Sequence, residues 1–572
     1  MEYSAIFHDM DKRFCYAIEK DLFVIRVQVK KDDMKEIILH YEDKYIPMER
    51  EDTRKTIVMK KVATSQFNDY YEAQVRMHLI CLRYFFEFTD MQGEKVYYGN
   101  YEFDKESITN RDRMFDCPQN LREEEMFEVP DWAANKVVYQ IFPSRFAASQ
   151  PVDKKLWYKA PITPMDDLHG DLRGIIDHLD HIQDLGIDVI YMTPSFKSDS
   201  CHKYDTIDYY EIDPSFGTKE DLKELVQKAH DRGMKVVMDA VFNHTGKEFF
   251  AFKDILEKGE KSKYLDWYYI DELPLKGEWG EIPNFLCFGY YGGMPKLNLK
   301  NPEVANYITD VACYWIRECD IDGWRLDVGD EISHFFWKNF RKAIKAVKKD
   351  MLIIGEIWHY AGDFLEGDEW DTVMNYPFYL NLIDLLADEK INVSQFVQNL
   401  GYLKGRLNKK CYPLMWNLID SHDTARFLHL CHDNKKKQHL AAAFQLLLPG
   451  MPMVYYGDEY AMPGANDPDC RRGMYWDEEY QDKEMFEWYK RLLQVRKAHT
   501  CIVEGELAEA ITRDEDETIV LIRKNGEETI ALIFNCSDHT KEFKEYAQKQ
   551  ELLTEKVFDG KVEAFDAAVI VL

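Results

Sequence analysis

The sequence predicts a multidomain α/β protein: a closed (β/α)8 barrel with a β-sandwich before it and an antiparallel β-domain after it. Three observations lead to this prediction. Alternating apolar and polar residues dominate residues 1–122, short apolar runs alternate with amphipathic helices over 123–496, and alternating runs return over 497–572. At 572 residues the chain is also long enough for several domains.

The N-terminal domain, residues 1–122, is predicted to be a small β-sandwich. Its apolar and polar side chains alternate as they do in half-buried strands. A turn at 90–93 is predicted to join two of these strands as a hairpin, and the polar stretch 120–125 is interpreted as the linker to the barrel. The predicted strands cover 23–29, 72–77, 82–88 and 95–98.

Eight short apolar runs in the middle of the chain are typical of buried parallel strands. Helical crossovers fit between them, so a closed barrel is favoured over a doubly wound sheet, which usually has fewer strands. The runs cover 137–142, 189–192, 236–239, 323–327, 352–356, 372–375, 414–419 and 452–456. The predicted helices cover 172–184, 219–232, 302–318, 335–348 and 437–448.

Two segments outside the barrel repeat complete the predicted organisation. Residues 245 to about 300 follow the third strand, are aromatic and loop-rich, and are expected to form a sub-domain beside the site. The C-terminal domain, 497–572, is predicted to be antiparallel because strands over 518–523 and 529–534 flank a turn at 524–527.

The composition disfavours several classes of partner. The chain carries 73 basic and 103 acidic side chains, and its net charge of −30 repels nucleic acid and anionic membranes. No apolar run reaches the roughly 18 residues that a membrane helix needs. The first residues lack a basic region followed by an apolar stretch, and the 12 cysteines include no C-x-x-C pair. We therefore expect a cytoplasmic protein that binds neither nucleic acid nor membranes.

Three segments of the barrel region end in a carboxylate, at Asp327, Glu356 and Asp423. The C-terminal ends of barrel strands meet at one face, so these groups are expected to converge and to act on a glycosidic bond. Arg325 lies two residues before Asp327 and on the same side of the strand, so it is predicted to lower the pKa of this carboxyl and keep it ionised as a nucleophile. The apolar neighbours of Glu356 are predicted to favour its protonated form, which suits a general acid.

Four segments resemble, in order, the conserved regions of the alpha-amylase family of glycoside hydrolases. They are 239–244, 323–327, 355–359 and 420–423. The segment 294–298 and the N-terminal β-domain are similar to those of the neopullulanase, cyclomaltodextrinase and maltogenic amylase group. The resemblance covers nearly the whole chain. It implies retaining hydrolysis of α-1,4-glucosidic bonds in cyclodextrins, maltooligosaccharides and pullulan.

The resemblance also implies a role for each matching residue. Asp327 would be the nucleophile, Glu356 the acid/base and Asp423 the stabiliser of the transition state. A second set would contact the substrate, and a third would support the site. The substrate-binding set is Tyr204, His244, Arg325, Trp358, His359 and His422, and the supporting pair is Asp239 and Asn243.

Related proteins often form homodimers and often bind calcium in a loop after the first barrel strand. Here that loop, 145–153, carries Ala147 and Ser149, which cannot supply the carboxamide and carboxylate oxygens that calcium prefers. We therefore expect a homodimer that requires no cofactor and whose calcium site is lost or weak. A transglycosylase, an α-1,6-glucosidase and a non-catalytic sugar-binding protein on the same fold are the alternatives.

Overall fold

The computed structural model describes residues 1–47, 54–76, 81–100, 102–118, 126–278 and 280–572. Three features of the predicted organisation lie outside these residues. They are the linker at 120–125, the boundary between the first two domains at residue 122, and Met77, the last residue of one predicted strand.

The N-terminal domain is a sandwich of two antiparallel sheets around its own apolar core, as predicted. The hairpin predicted at 90–93 is present, because Thr89 pairs with Lys95 across the turn. In spatial order, the first sheet contains Cys15–Glu19, Leu22–Lys30, Asn68–Arg76 and Lys60–Thr64. The second contains Lys55–Val58, Met34–Asp43, Cys81–Asp90, Lys95–Tyr98 and Phe103–Asp104, with Phe115–Pro118 also paired to Cys81–Asp90.

The strand Leu22–Lys30 is buried more completely than its alternating sequence predicts, because its outer face packs against the barrel domain. Arg26 is 2% exposed and donates from Nη1 to the carbonyls of Gly405 and Leu407. The two domains approach so closely that a Cβ at Gly401 would lie 1.9 Å from the carbonyl oxygen of Thr64. Glycine is therefore required at position 401 by the contact between the domains.

Eight parallel strands form the barrel. They are β1 (Val138–Ile141), β2 (Val189–Met192), β3 (Lys235–Ala240), β4 (Gly323–Leu326), β5 (Leu352–Gly355), β6 (Thr372–Val373), β7 (Trp416–Asn417) and β8 (Met451–Tyr455). Their spatial order is β6-β5-β4-β3-β2-β1-β8-β7. A parallel bridge between Met374, after β6, and Trp416, in β7, closes the sheet. The closed barrel is confirmed, and the doubly wound alternative is excluded.

The helices around the barrel begin at residues that cap their free N–H groups. In Lys219–Asp231, the Thr218 side chain and that of Asp221 form a reciprocal capping box. Pro302–Cys319 starts after the capping side chain of Asn301 and buries one apolar stripe that runs from Val304 to Cys319. The predicted helix at 172–184 is present as two pieces, Leu172–Asp177 and Leu179–Leu185. The other predicted helices are His334–Val347 and Lys435–Leu447.

The sequence analysis did not assign several helices that the structure contains. Tyr376–Leu386 and Val393–Arg406 lie between β6 and β7, and Lys483–Ala498 follows β8. Within the insertion, residues 250–258 also form a helix. The shorter unassigned helices are Pro143–Phe146, Lys154–Trp157, Phe427–Leu430 and Cys501–Glu504. Among the described residues, no helix combines the length and the apolar character needed to cross a membrane.

The C-terminal domain is built on an antiparallel sheet, as predicted. The turn predicted at 524–527 is present, with Asn525 opposite Glu528 and Gly526 at φ +59°, a conformation that favours glycine. The strands are Glu506–Arg513, Thr518–Asn525, Glu528–Asn535 and Asp566–Val571, and a second small sheet pairs Lys541–Glu542 with Lys561–Val562. The sheet packs against the barrel helices Val393–Arg406 and Lys435–Leu447.

Candidate active site

The buried guanidinium of Arg325 contacts four acidic side chains at the mouth of the barrel. Arg325 Nη1 lies 3.0 Å from Asp239 Oδ2 and 2.9 Å from Asp327 Oδ1. Its Nη2 lies 3.0 Å from Glu356 Oε2 and 3.9 Å from Asp423 Oδ2. Asp239 and Arg325 are neighbours because they pair in register across β3 and β4. The structure therefore brings the three predicted catalytic carboxylates together, in a site with more acidic than basic groups that suits a developing positive charge.

Asp327 has one bound and one open carboxylate oxygen. Oδ1 accepts from Arg325, while Oδ2 has no hydrogen-bond partner among the described residues. Burial raises the pKa of Asp327 well above its ordinary value; the Arg325 charge opposes this, and the charges of Glu356, Asp239 and Asp423 add to it. Arg325 lowers the pKa of Asp327 as predicted, but burial and the three like charges outweigh this effect, so the net direction is upward and not downward.

Glu356 is surrounded by hydrogen-bond donors rather than by the apolar walls that the sequence predicted. Oε2 accepts from the backbone N–H of Val328 at 2.9 Å, and Oε1 accepts from the indole N–H of Trp358 at 3.2 Å. Val328 adopts φ +47°, a conformation that is rare for a β-branched residue. This strained turn after β4 aims its N–H at Glu356, and strained backbone of this kind is concentrated at functional sites.

A chain of hydrogen bonds holds His422 in one tautomer. Burial lowers the pKa of His422 well below its ordinary value, so the ring is neutral. Gln140 Nε2 lies 2.6 Å from Nδ1, so a donating amide leaves the ring proton on Nε2. Nε2 lies 2.5 Å from the Tyr204 hydroxyl and 3.2 Å from Asp423 Oδ2. The hydroxyl of Tyr204 in turn donates to Asp239 at 3.2 Å.

Asp239 and Tyr204 form the floor of the site. Burial raises the pKa of Asp239 to about 6. Its Oδ2 accepts from the hydroxyl of Tyr191 at 2.6 Å as well as from Arg325. The Tyr204 ring lies parallel to that of His422, with 5.6 Å between ring centroids. The structure thus joins these predicted residues to the carboxylate cluster.

His244 and Asn243, which follow β3, contact residues of the insertion at 245–300. Burial lowers the pKa of His244 to about 3, and the Lys296 charge adds to this. The neutral ring stacks on Phe288 with 5.1 Å between centroids. Asn243 Oδ1 accepts from Lys296 Nζ, and its Nδ2 donates to Glu331 at 3.3 Å. The segment 294–298 is therefore fastened directly to the site.

Trp358 and His359 lie on the turn after β5. Trp358 is 43% exposed and stacks on Tyr376, with 4.0 Å between centroids. His359 is exposed on the next position of the same turn. Tyr376 is fully buried at the start of the helix Tyr376–Leu386, so it fixes the plane of the indole. Trp358 thus presents an aromatic face beside Glu356.

Four residues at the site were missed from the sequence: Gln140, Tyr191, Tyr376 and Arg471. Arg471 Nε donates to the His422 carbonyl at 2.8 Å, and its Nη2 lies 3.4 Å from Asp423 Oδ1. Gln140 could have been found from its position near the C-terminal end of β1, because side chains at these strand ends reach the site. No comparable signal marks Arg471, which reaches the site from a 3-10 helix after β8.

The polar groups of the loop after β1 form hydrogen bonds with one another and with the start of the next helix. Both oxygens of Asp171 are occupied, because Ser149 donates to Oδ2 and Gly174 N–H donates to Oδ1 at the start of a helix. Ala147 supplies no side-chain ligand, and its carbonyl accepts from Asp171 N–H. Among the described residues, no group of three or more His, Cys, Asp or Glu side chains is placed to hold a metal ion.

Treatment with EDTA is expected to leave the thermal midpoint of unfolding unchanged. A calcium ion present at 100 times its dissociation constant would stabilise the fold by about 2.7 kcal/mol, so its removal would be measurable. Differential scanning calorimetry with and without the chelator provides the comparison. A large drop that added calcium reverses would contradict the prediction.

Buried histidines are expected to make the fold acid-sensitive. Burial lowers the pKa of His8 to about 4 and that of His244 to about 3. Below about pH 6.5, the pKa of a histidine in the unfolded chain, the unfolded chain binds more protons than the folded one. Each buried histidine therefore lowers the free energy of unfolding by up to about 1.4 kcal/mol for each pH unit, until the pH reaches the pKa of that histidine in the folded protein. The free energy of unfolding should therefore fall between pH 6.5 and 5, and His8→Gln should reduce the slope.

The exposed His539 provides the control for this measurement, because His539→Gln should leave the slope as it is. Denaturant titrations at several pH values measure the slope of the free energy of unfolding against pH. An equal slope in wild type and His8→Gln would contradict the contribution assigned to His8.

Comparisons with known proteins agree with this geometry. Residues 140–505 match the family described as "Alpha amylase, catalytic domain", and residues 1–119 match "Alpha amylase, N-terminal ig-like domain". A cyclomaltodextrinase from Geobacillus thermopakistaniensis is 42% identical over 95% of this chain and 92% of its own. An intracellular maltogenic amylase from Bacillus subtilis is 38% identical over 94% of this chain and 91% of its own.

A solved cyclomaltodextrinase structure is also similar along its whole length. Its TM-score is 0.94 at 36% sequence identity, and the alignment covers 100% of both chains.

Proposed function

Because this chain belongs to the alpha-amylase family and is a glycoside hydrolase, we propose that it hydrolyses α-1,4-glucosidic bonds in cyclodextrins, maltooligosaccharides and pullulan. One observation carries the mechanism: Asp327 and Glu356 both lie within 3.0 Å of the same buried guanidinium. They reach it from the C-terminal ends of the adjacent strands β4 and β5, at the face of the barrel where active sites lie. Retaining hydrolysis needs two carboxyl groups about 5–5.5 Å apart.

In the first step, protonated Glu356 donates its proton to the glycosidic oxygen, while Asp327 attacks the anomeric carbon in the ionised form that the Arg325 charge favours. The open oxygen, Oδ2, is the one available for attack, because Arg325 holds Oδ1. The C–O bond to the leaving sugar breaks, and a glycosyl ester forms on Asp327. In the second step, Glu356 takes a proton from water, which attacks the same carbon and releases the sugar with its original configuration.

Asp423 and His422 bind the hydroxyls of the sugar that is cleaved. Asp423 is half-buried, and its Oδ2 lies 3.9 Å from Arg325 Nη2 and 3.2 Å from His422 Nε2. The Nε2–H of His422 is the donor of this pair, because Gln140 occupies Nδ1. Hydrogen bonds to these hydroxyls that strengthen as positive charge develops would lower the barrier.

The substrate class is tested by product analysis on β-cyclodextrin, pullulan and maltotriose in parallel. We expect ring opening of β-cyclodextrin, followed by maltose and glucose. Pullulan distinguishes the linkages, because α-1,4 cleavage yields panose and α-1,6 cleavage yields maltotriose. Maltotriose as the only pullulan product would overturn the α-1,4 assignment. Oligosaccharides longer than the substrate would reveal glycosyl transfer, in which a sugar hydroxyl replaces water.

We propose further that the protein works in the cytoplasm as a homodimer. The name of the intracellular Bacillus subtilis relative supports the location. The N-terminal domain exposes several large apolar side chains, as an interface would: Tyr45 at 66%, Val58 at 58% and Phe67 at 70%. Sedimentation equilibrium at micromolar concentration is expected to give twice the chain mass of 67.8 kDa. A single species of chain mass would contradict the dimer.

A further inference from the structure

A buried arginine near the site has no acidic partner. Arg145 follows β1, is 2% exposed, and forms no ion pair within the described part of the chain. Its Nε and Nη1 have no hydrogen-bond partner there either. The one side chain that its Nη2 meets is Cys201, whose Sγ lies 3.6 Å away. A buried guanidinium with free N–H groups is costly unless an acceptor meets it.

Cys201 is one of two cysteines that are not buried. None of the 12 cysteines, all of which lie in the described residues, forms a disulfide, and Cys201 and Cys287 are the two that are half-exposed. Cys201 Sγ also lies 3.4 Å from the carbonyl oxygen of Pro164. Cysteines that react with oxidants are partly exposed and lie beside cationic groups. Of the two, Cys201 has the buried guanidinium beside it.

We propose that Cys201 is an oxidation site, at which hydrogen peroxide converts the thiol to a sulfenic acid and thereby lowers the activity of the enzyme. The sulfur attacks one peroxide oxygen, the O–O bond breaks and an S–O bond forms. The leaving hydroxide takes the thiol proton and becomes water, so sulfur loses two electrons and the peroxide gains them. The new oxygen is carried by the sulfur that Arg145 Nη2 contacts, so it adds a hydrogen-bond acceptor beside this guanidinium.

The loop that carries Cys201 also carries Tyr204, which contacts His422 and Asp239. The loop is held together by short polar contacts, because the hydroxyls of Ser198 and Ser200 both donate to Asp205. We expect an oxygen added between Arg145 and Pro164 to displace this loop and, with it, Tyr204. A misplacement of about 1 Å in an active site can cost about 100-fold in rate.

The test treats the intact enzyme with hydrogen peroxide and measures kcat/KM on a maltooligosaccharide. Wild type and Cys287→Ser are expected to lose at least about tenfold in kcat/KM, and dithiothreitol should restore the activity. Cys201→Ser should have the basal activity of wild type and resist the oxidant. Dimedone labelling followed by peptide mass spectrometry should place the sulfenic acid at Cys201. Equal inactivation of Cys201→Ser and wild type would overturn the proposal, as would labelling at Cys287 alone.

The contribution of the arginine is measured separately with iodoacetamide, which replaces its iodide with the cysteine sulfur. In the native wild-type protein, Cys201 should be alkylated at least about tenfold faster than Cys287. Arg145→Gln should remove most of this difference. If this variant does not fold, the alkylation rates of Cys201 and Cys287 in the wild-type protein provide the test. Equal rates for the two cysteines would overturn the role of the guanidinium.

Discussion

Replacing Asp327 by Asn is expected to lower kcat on maltooligosaccharides by about 10⁴-fold or more. The amide cannot form the glycosyl ester on which the two-step reaction depends. Side-chain volume is unchanged, and Arg325 can still contact the amide oxygen, so the fold should persist. Steady-state kinetics on β-cyclodextrin measure the loss. A variant within tenfold of wild type would show that Asp327 is not the nucleophile.

Asp322 provides a matched control at the opposite end of the same strand. It directly precedes β4, is fully buried, and contacts His230 at 2.6 Å, Lys235 at 2.9 Å and Lys348 at 3.0 Å. Asp322→Asn is expected to destabilise the fold by about 3 kcal/mol, because it breaks buried ion pairs, while kcat changes little. Residues at the N-terminal face of a barrel serve stability, and those at the C-terminal face serve catalysis.

Replacing Glu356 by Gln is expected to lower kcat on β-cyclodextrin by about 10³-fold, within the range for loss of a general acid. The loss should depend on the leaving group. α-Maltosyl fluoride releases fluoride without needing a proton, so the variant should form the glycosyl ester from it at nearly the wild-type rate. Rapid-quench measurement of fluoride release separates this step from the slower hydrolysis of the ester.

Asp327→Asn is the control for that experiment, because it should release no fluoride burst. A Glu356→Gln variant that is equally impaired on both substrates would show that Glu356 acts in some other way than by protonating the leaving group.

The strand pattern was sufficient to predict the barrel and the convergence of its acidic ends. Buried parallel strands have short apolar sequences, and their C-terminal ends meet at one face, so Asp327, Glu356 and Asp423 could be placed from local sequence. The contact between Asp239 and Arg325 also follows from this rule, because they are in register on neighbouring strands.

Features that depend on several distant segments could not be predicted in this way. The raised pKa of Asp327 results from burial and from the charges of groups on three other strand ends, which sum only once the barrel is closed. Arg471 reaches the site from a loop more than 40 residues beyond Asp423 in the chain. The helix Val393–Arg406 was missed, and its tight packing on the N-terminal domain depends on Gly401.

The most direct test of covalent catalysis by Asp327 is to trap the glycosyl ester. Glu356→Gln should accumulate it from α-maltosyl fluoride, because the base that activates water for the second step is absent. Rapid acid quench, proteolysis and mass spectrometry would then locate the sugar. A single maltosyl adduct on the peptide that contains Asp327 is the expected result. An adduct on Asp423, or no adduct together with a product of inverted configuration, would contradict the mechanism.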